Sequence, residues 1–119
     1  MIDHLDHLVL TTRTEAACTR FYCEVLGMRQ EKFGEGRTAF VFGAQKINVH
    51  IAGKEFEPKA QYPTPGALDL CFIANVPLEK VMHRLRTYGL RLECGPIVRT
   101  GAQGPIRSVY VRDPDANLI

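Results

Sequence analysis

Three side chains with the chemistry of metal ligands are spread along this sequence: His7, His50 and Asp69. Two imidazoles and a carboxylate suit a divalent transition ion such as Ni, Zn, Mn or Fe. They lie far apart in sequence, so there is no local ligand motif and only the fold can gather them. Asn48 lies two residues before His50 and shares its strand face. Each also has an ordinary structural reading. His7 suits a strand-start histidine bonded to a neighbouring carbonyl, His50 a half-exposed strand residue, and Asp69 a turn carboxylate after Gly66. Arg99-Thr100-Gly101 forms a second constellation, in which a guanidinium on a long loop can clamp an anionic substrate group. The alternative there is a solvated arginine. His4 and His83 read as surface residues.

Strands must carry the first three. Asp6-His7-Leu8-Val9-Leu10 opens an alternating strand over residues 4–11, and Leu68-Asp69-Leu70-Cys71-Phe72 echoes it within residues 67–74. After the first, Thr12-Arg13-Thr14-Glu15 fits a capping box, and Ala17, Phe21 and Val25 give the apolar face of a helix ending at Gly27. Strands follow over 28–33, 38–42 and 46–51. In the last, Ile47, Val49 and Ile51 share one face, with Asn48 and His50 on the other. Residues 53–66, with Pro58, Pro63 and Pro65, read as a linker. The second half predicts a strand, a helix after Pro77 with Leu78, Val81, Met82 and Leu85 inward, and a stop at Gly89. A strand over 90–94, a long loop over 95–105, a strand over 106–112 and a turn over Asp113-Pro114-Asp115-Ala116-Asn117 complete it. Leu118 and Ile119 then open a last, truncated strand.

The halves repeat. An offset of 62 carries His7 to Asp69, Leu10 to Phe72 and Gly27 to Gly89. An offset of 70 carries Arg37 to Arg107 and Phe40 to Tyr110, and puts His50 opposite position 120, one past Ile119. The reading is therefore one α+β domain over 1–119 with two βαβββ modules. Module one spans 1–52, the linker 53–66 and module two 67–119. Two curved sheets related by a pseudo-twofold would close a central cavity that both His7 and Asp69 face.

Composition excludes other classes. A net charge of +2 with scattered Lys and Arg gives no case for nucleic acid. No window approaches the roughly 18 apolar residues of a membrane span. The first strand leaves no room for a signal peptide, which points to the cytoplasm. Cys18, Cys23, Cys71 and Cys94 show no paired spacing and read as buried free thiols. Motifs for nucleophilic serine, phosphate loops and dinucleotides are missing.

With the module order, His7-Leu8-Val9-Leu10, Phe21-Tyr22 ahead of Val25-Leu26-Gly27-Met28, and Asp113-Pro114-Asp115, the chain resembles the vicinal-oxygen-chelate superfamily of glyoxalase I, bleomycin-resistance proteins and extradiol dioxygenases. Phe42-Gly43, Gln45-Lys46, residues 55–60, Pro65-Gly66 and residues 99–106 resemble its glyoxalase domain-containing protein 5 subgroup. The resemblance implies a metal-dependent lyase or isomerase acting on a small vicinal-oxygen substrate, of the lactoylglutathione lyase type, through chelation and enediolate stabilisation. It implies metal ligands at His7, at His50 or Asn48, at Asp69 and just beyond Ile119, where relatives usually carry glutamate. Without that glutamate the metal set would be incomplete. Asp69 becomes ligand or proton-moving base, Arg99, Thr100 and Asn48 become substrate contacts, and a homodimer is expected. The alternative is a non-catalytic small-ligand binding or resistance protein. An extradiol dioxygenase, which wants two histidines and a glutamate, fits less well.

Overall fold

Alternation decides the first half of the chain. The computed structural model, which describes all 119 residues, places β1 at His7–Thr12, β2 at Arg29–Phe33, β3 at Arg37–Phe42 and β4 at Gln45–Ile51. They form one sheet in the order β1-β4-β3-β2, with β1 parallel to β4 and the other pairs antiparallel. Leu10, Phe40, Ile47 and Val49 turn to one face and join Phe21, Tyr22 and Val25 in the core. The Tyr22 ring stacks on Phe40 at 5.4 Å, and Phe21 meets Tyr22 edge-on at 5.0 Å. The opposite, open face carries His7, Val9 and Thr11 on β1 beside Lys46, Asn48 and His50 on β4. The α+β class and the first strand–helix–three-strand unit are as the sequence implies.

The helix differs in kind. Only α1 (Glu15–Thr19) is α-helical, and Arg20–Val25 winds as a π-helix in which Leu26 N–H donates to the Phe21 carbonyl five residues back at 3.0 Å. The wider turn lets the neighbours Phe21 and Tyr22 both face the sheet. The expected capping box is absent. Thr12 donates to Asp115, and the Glu15 carboxylate instead accepts from the Thr38 hydroxyl at 2.7 Å.

Module two is less regular than its sequence pattern. Residues 67–74 make a single parallel bridge, Asp69 to Leu118, and Leu118 bridges antiparallel to Arg112. The helix α2 (Leu78–Thr87) forms as expected, with Leu85 buried. No strand forms over 90–93. The expected long loop is instead a hairpin of β5 (Cys94–Gly101) and β6 (Gly104–Tyr110). Ile97 and Val98 favour the extended chain, and the glycines at 101 and 104 permit the tight turn between them. All four cysteines are free thiols, but only Cys18 is fully buried; Cys71 and Cys94 are exposed, because residues 67–74 do not form the expected buried strand and Cys94 begins the β5–β6 hairpin on its open side. No helix is long and apolar enough to cross a membrane.

A buried polar clamp joins the modules. The Asp113 carboxylate accepts from Tyr22 OH (2.8 Å), Asn117 Nδ2 (2.8 Å) and the backbone N–H groups of Asp115 and Asn117 (both 2.9 Å). Asp115 accepts from the Thr12 hydroxyl and from Arg13 N–H at 3.0 Å. Asn117 Oδ1 accepts Leu68 N–H at 2.8 Å. Burial first, then Asp113, pushes the Tyr22 phenol up and keeps it a donor. Ala116 is held at φ 69°, a left-handed conformation unusual for alanine. At Gly66 (φ 81°) a Cβ would stand 2.5 Å from the Asp115 carbonyl oxygen, so the turn and the linker end pack with no room for a side chain.

Truncating Asp113 to Ala strips partners from four buried donors at once and should cost about 3–5 kcal/mol. Tyr22→Phe removes one charge-assisted bond and should cost about 1.5–3 kcal/mol. Urea unfolding of the two variants checks both values and their order.

Candidate functional site

His7 opens β1 with its side chain 45% exposed. Its Nδ1 lies 2.7 Å from Asp6 Oδ1, and that hydrogen bond holds the Asp6 carboxyl below its ordinary value. A carboxylate on one ring nitrogen fixes the ring and leaves Nε2 available, which is the arrangement metal-bound histidines use.

The β1–β4 register separates the two histidines. His7 stands opposite Lys46, Val9 opposite Asn48 and Thr11 opposite His50. Asn48 is thus the diagonal neighbour of His7 on the open face, whereas His50 lies one side-chain repeat further along. The same comparison corrects the repeat. The opening strands keep the offset of 62, but His7 pairs with Lys46 while Asp69 pairs with Leu118, an offset of 72 rather than 70 for the partner strand. The five-residue Asp113–Asn117 turn is longer than the Gly43-Ala44 turn, and it absorbs the difference. Under the corrected offset Asn48, not His50, corresponds to position 120.

Asn48 and His50 are both buried, at 6% and 2% exposure. Asn48 Oδ1 and His50 Nε2 have no hydrogen-bond partner. Burial, then the nearby Arg37 charge, pushes the His50 imidazole below 6.5. Phe56, from the segment after β4, lies edge-on to the His50 ring at 5.7 Å and roofs that end of the face.

Asp69 is on the other module. It lines an open cleft of about 300 Å³ with Arg99, Tyr110, Arg112, Glu93, Cys94 and Leu118. Arg99 Nε donates to Tyr110 OH at 3.2 Å. Arg112 is already engaged by Glu93 and the Ala116 carbonyl, so Arg99 is the freer guanidinium. The structure therefore brings Asp69 and Arg99 together. Thr100, the next residue on β5, points to the other side of the ribbon and does not line that cleft.

The donor chemistry matches a divalent cation, but its placement within one chain does not. His7 and Asp69 lie on separate module faces, and no group of three His, Cys, Asp or Glu residues comes together. Both faces are open in the single chain: Val9, between His7 and Thr11, is 42% exposed, and Ile73, on the face of Asp69, is 78% exposed.

Sequence reasoning missed Asp6 as the partner of His7, Tyr110 as the partner of Arg99, and Arg37 and Phe56 around His50. Asp6 and Tyr110 left signals, one directly before His7 and the other the repeat mate of Phe40. Phe56 left none, because nothing in residues 53–66 indicates which way that segment folds.

The family model described as the Glyoxalase/Bleomycin resistance protein/Dioxygenase superfamily matches residues 4–119. The virulence protein STM3117 of Salmonella typhimurium is 51% identical over 119 residues, covering 100% of this chain and 83% of that protein. The glyoxalase domain-containing protein RDO1 of Mycosarcoma maydis is 51% identical over 115 residues, covering 97% of this chain and 65% of that protein. Among solved structures, the integron cassette protein VCH_CASS1 from the mobile metagenome of V. cholerae superposes with a TM-score of 0.98 at 53% identity, covering 100% of this chain and 93% of that one.

The His50 environment sets a pH dependence. Its folded pKa lies below 6.5, so on acidification the unfolded chain takes up the proton first. His50 contributes fully above pH 6.5, and that contribution falls as pH drops from there toward the folded pKa. The ring should titrate below 6.5 by NMR. The loss of unfolding midpoint on acidification should be smaller in His50→Gln than in the parent.

Proposed function

Because the chain belongs to the Glyoxalase/Bleomycin resistance protein/Dioxygenase superfamily, we propose that it is a glyoxalase-like lyase or isomerase acting on a small substrate with two neighbouring oxygens. The observation that carries this reading is the Asp6–His7 pair, a carboxylate-oriented imidazole on an open sheet face beside the unpartnered Asn48 oxygen. A homodimer that sets module one of one protomer against module two of another would cover both faces and bring His7 and Asp69 to one cavity. His7, Asp69 and either Asn48 or His50 would hold a divalent ion (Ni, Zn, Mn or Fe) there, and the β1–β4 register favours Asn48.

A metal bound there supplies Lewis acidity toward the paired substrate oxygens. The chain's own residues do the rest. Asp6 holds the His7 ring in one tautomer and one orientation. The Asp69 carboxylate is exposed and can carry a proton between neighbouring substrate atoms, and Arg99, oriented by Tyr110, holds an anionic group of the substrate in the same cleft. Closing the two faces together excludes water from Val9 and Ile73 and strengthens each of these contacts.

A second reading is a non-catalytic binding protein of the same fold. The absence of a three-donor group within one chain favours it.

Elemental analysis and turnover of the methylglyoxal–glutathione hemithioacetal, with and without added Ni or Zn, test the choice. Under the first reading His7→Ala loses metal uptake, and Asp6→Asn lowers metal affinity by roughly 10–100-fold. A metal-loaded chain that never turns the substrate over moves the binding reading ahead.

A further inference from the structure

We propose that Arg37, His50 and the Phe56 strap form a subsite for a carboxylate with an apolar body, at the end of the open face away from His7. The proposal rests on that face being the substrate site, and it names the class of group the substrate carries there.

Arg37 is a cation without a carboxylate in contact. Its guanidinium carbon lies 4.9 Å from the ring centroids of both Phe33 and Phe56. It takes part in none of the chain's ion pairs. The carboxylates near His50 are engaged elsewhere: Glu55 and Glu57 lie 3.9 Å and 3.3 Å from Lys59, Glu55 also accepts Gly53 N–H at 3.1 Å, and neither forms an ion pair with Arg37. A guanidinium between two aromatic rings keeps its in-plane N–H groups free for a fork of hydrogen bonds to a carboxylate.

His50 supplies the second contact. It is 2% exposed, and its Nε2 has no partner. Buried polar atoms rarely remain unsatisfied, so this nitrogen marks a place for a ligand. The nearby positive charge of Arg37 disfavours a metal cation at His50 and favours an anion. A neutral imidazole with its proton on Nε2 donates one bond to the same carboxylate. Asn48 Oδ1, an acceptor, needs a donor or a cation instead and belongs with the His7 end.

Phe33 is covered by both Arg37 and Lys46 Nζ, the latter at 4.1 Å, so Phe56 supplies the apolar wall, which selects a carboxylate carrying an aromatic or aliphatic body. Phe56, 36% exposed and edge-on to the His50 ring at 5.7 Å, forms the solvent-side wall of the subsite, and a ligand reaching His50 Nε2 has to displace it.

The experiment uses the full chain, metal-free, with benzoate as probe and benzamide as its uncharged match, read by titration calorimetry and the His50 ring resonances. Benzoate should bind saturably and shift the His50 ring, and benzamide should bind far more weakly. Arg37→Gln should weaken benzoate by roughly tenfold or more, and Arg37→Lys should retain part of the affinity. Equal binding of benzoate and benzamide, an unmoved His50 ring, or full affinity in Arg37→Gln would overturn the proposal. So would Zn alone, added to the parent chain, moving the His50 nitrogens as a direct ligand does. If Arg37→Gln does not fold, the benzoate–benzamide comparison on the intact chain decides. The assay needs neither metal nor turnover. Benzoate binding without lyase activity sinks the enzyme reading alone, and lyase activity without selective benzoate binding sinks the subsite alone.

Discussion

The register of β1 against β4 is the constraint on which the rest of this molecule depends. It sets His7 opposite Lys46 and thereby decides that His7, Asn48 and His50 share a face while Leu10, Ile47 and Val49 share the other. A slip of one residue would turn Leu10 to the open side and bury Val9 and Thr12's neighbours in its place. The apolar face therefore fixes the polar one. Because Tyr22 stacks on Phe40 in the core, the backbone of these strands is fixed from the apolar side, and the side chains on the far side start from set positions.

Two kinds of buried polar group result, and they behave differently. Asp113, Asp115 and Asn117 are buried and bonded many times over, which suits a structural joint. Asn48 and His50 are buried with side-chain atoms left over, which suits a site awaiting a partner. The protein thus keeps its satisfied polar groups at the seam between modules and its unsatisfied ones on the face that a ligand would meet.

How far the sequence was legible follows from where period and burial agree. The first module was readable because its strands alternate cleanly against one apolar helix, as in Lys46-Ile47-Asn48-Val49-His50. The hairpin of β5 and β6 was not, because Pro96, Gly101, Gly104 and Pro105 carry loop signals that its β-branched residues and tight turn override. His7, His50, Asp69 and Arg99 could be picked out by residue type alone. Which of Asn48 and His50 lies nearer His7 could not, since that depends on the β1–β4 register and on an offset of 72 rather than 70 for the partner strand. The Arg99–Thr100 pair was split for a similar reason: a loop can point two neighbours the same way, and a strand cannot.

The polar clamp also says something about how the chain reaches this state. Its contacts join residues 12–22 to residues 113–117 at sequence separations of 91 to 103. Contacts of such separation carry a high loop-closure cost. During synthesis, Tyr22 and Thr12 wait without their native partners until nearly all of this sequence has been made. Until then the first module has its apolar stack of Phe21, Tyr22 and Phe40 but not its joint, and the joint can close only once residues 113–117 exist.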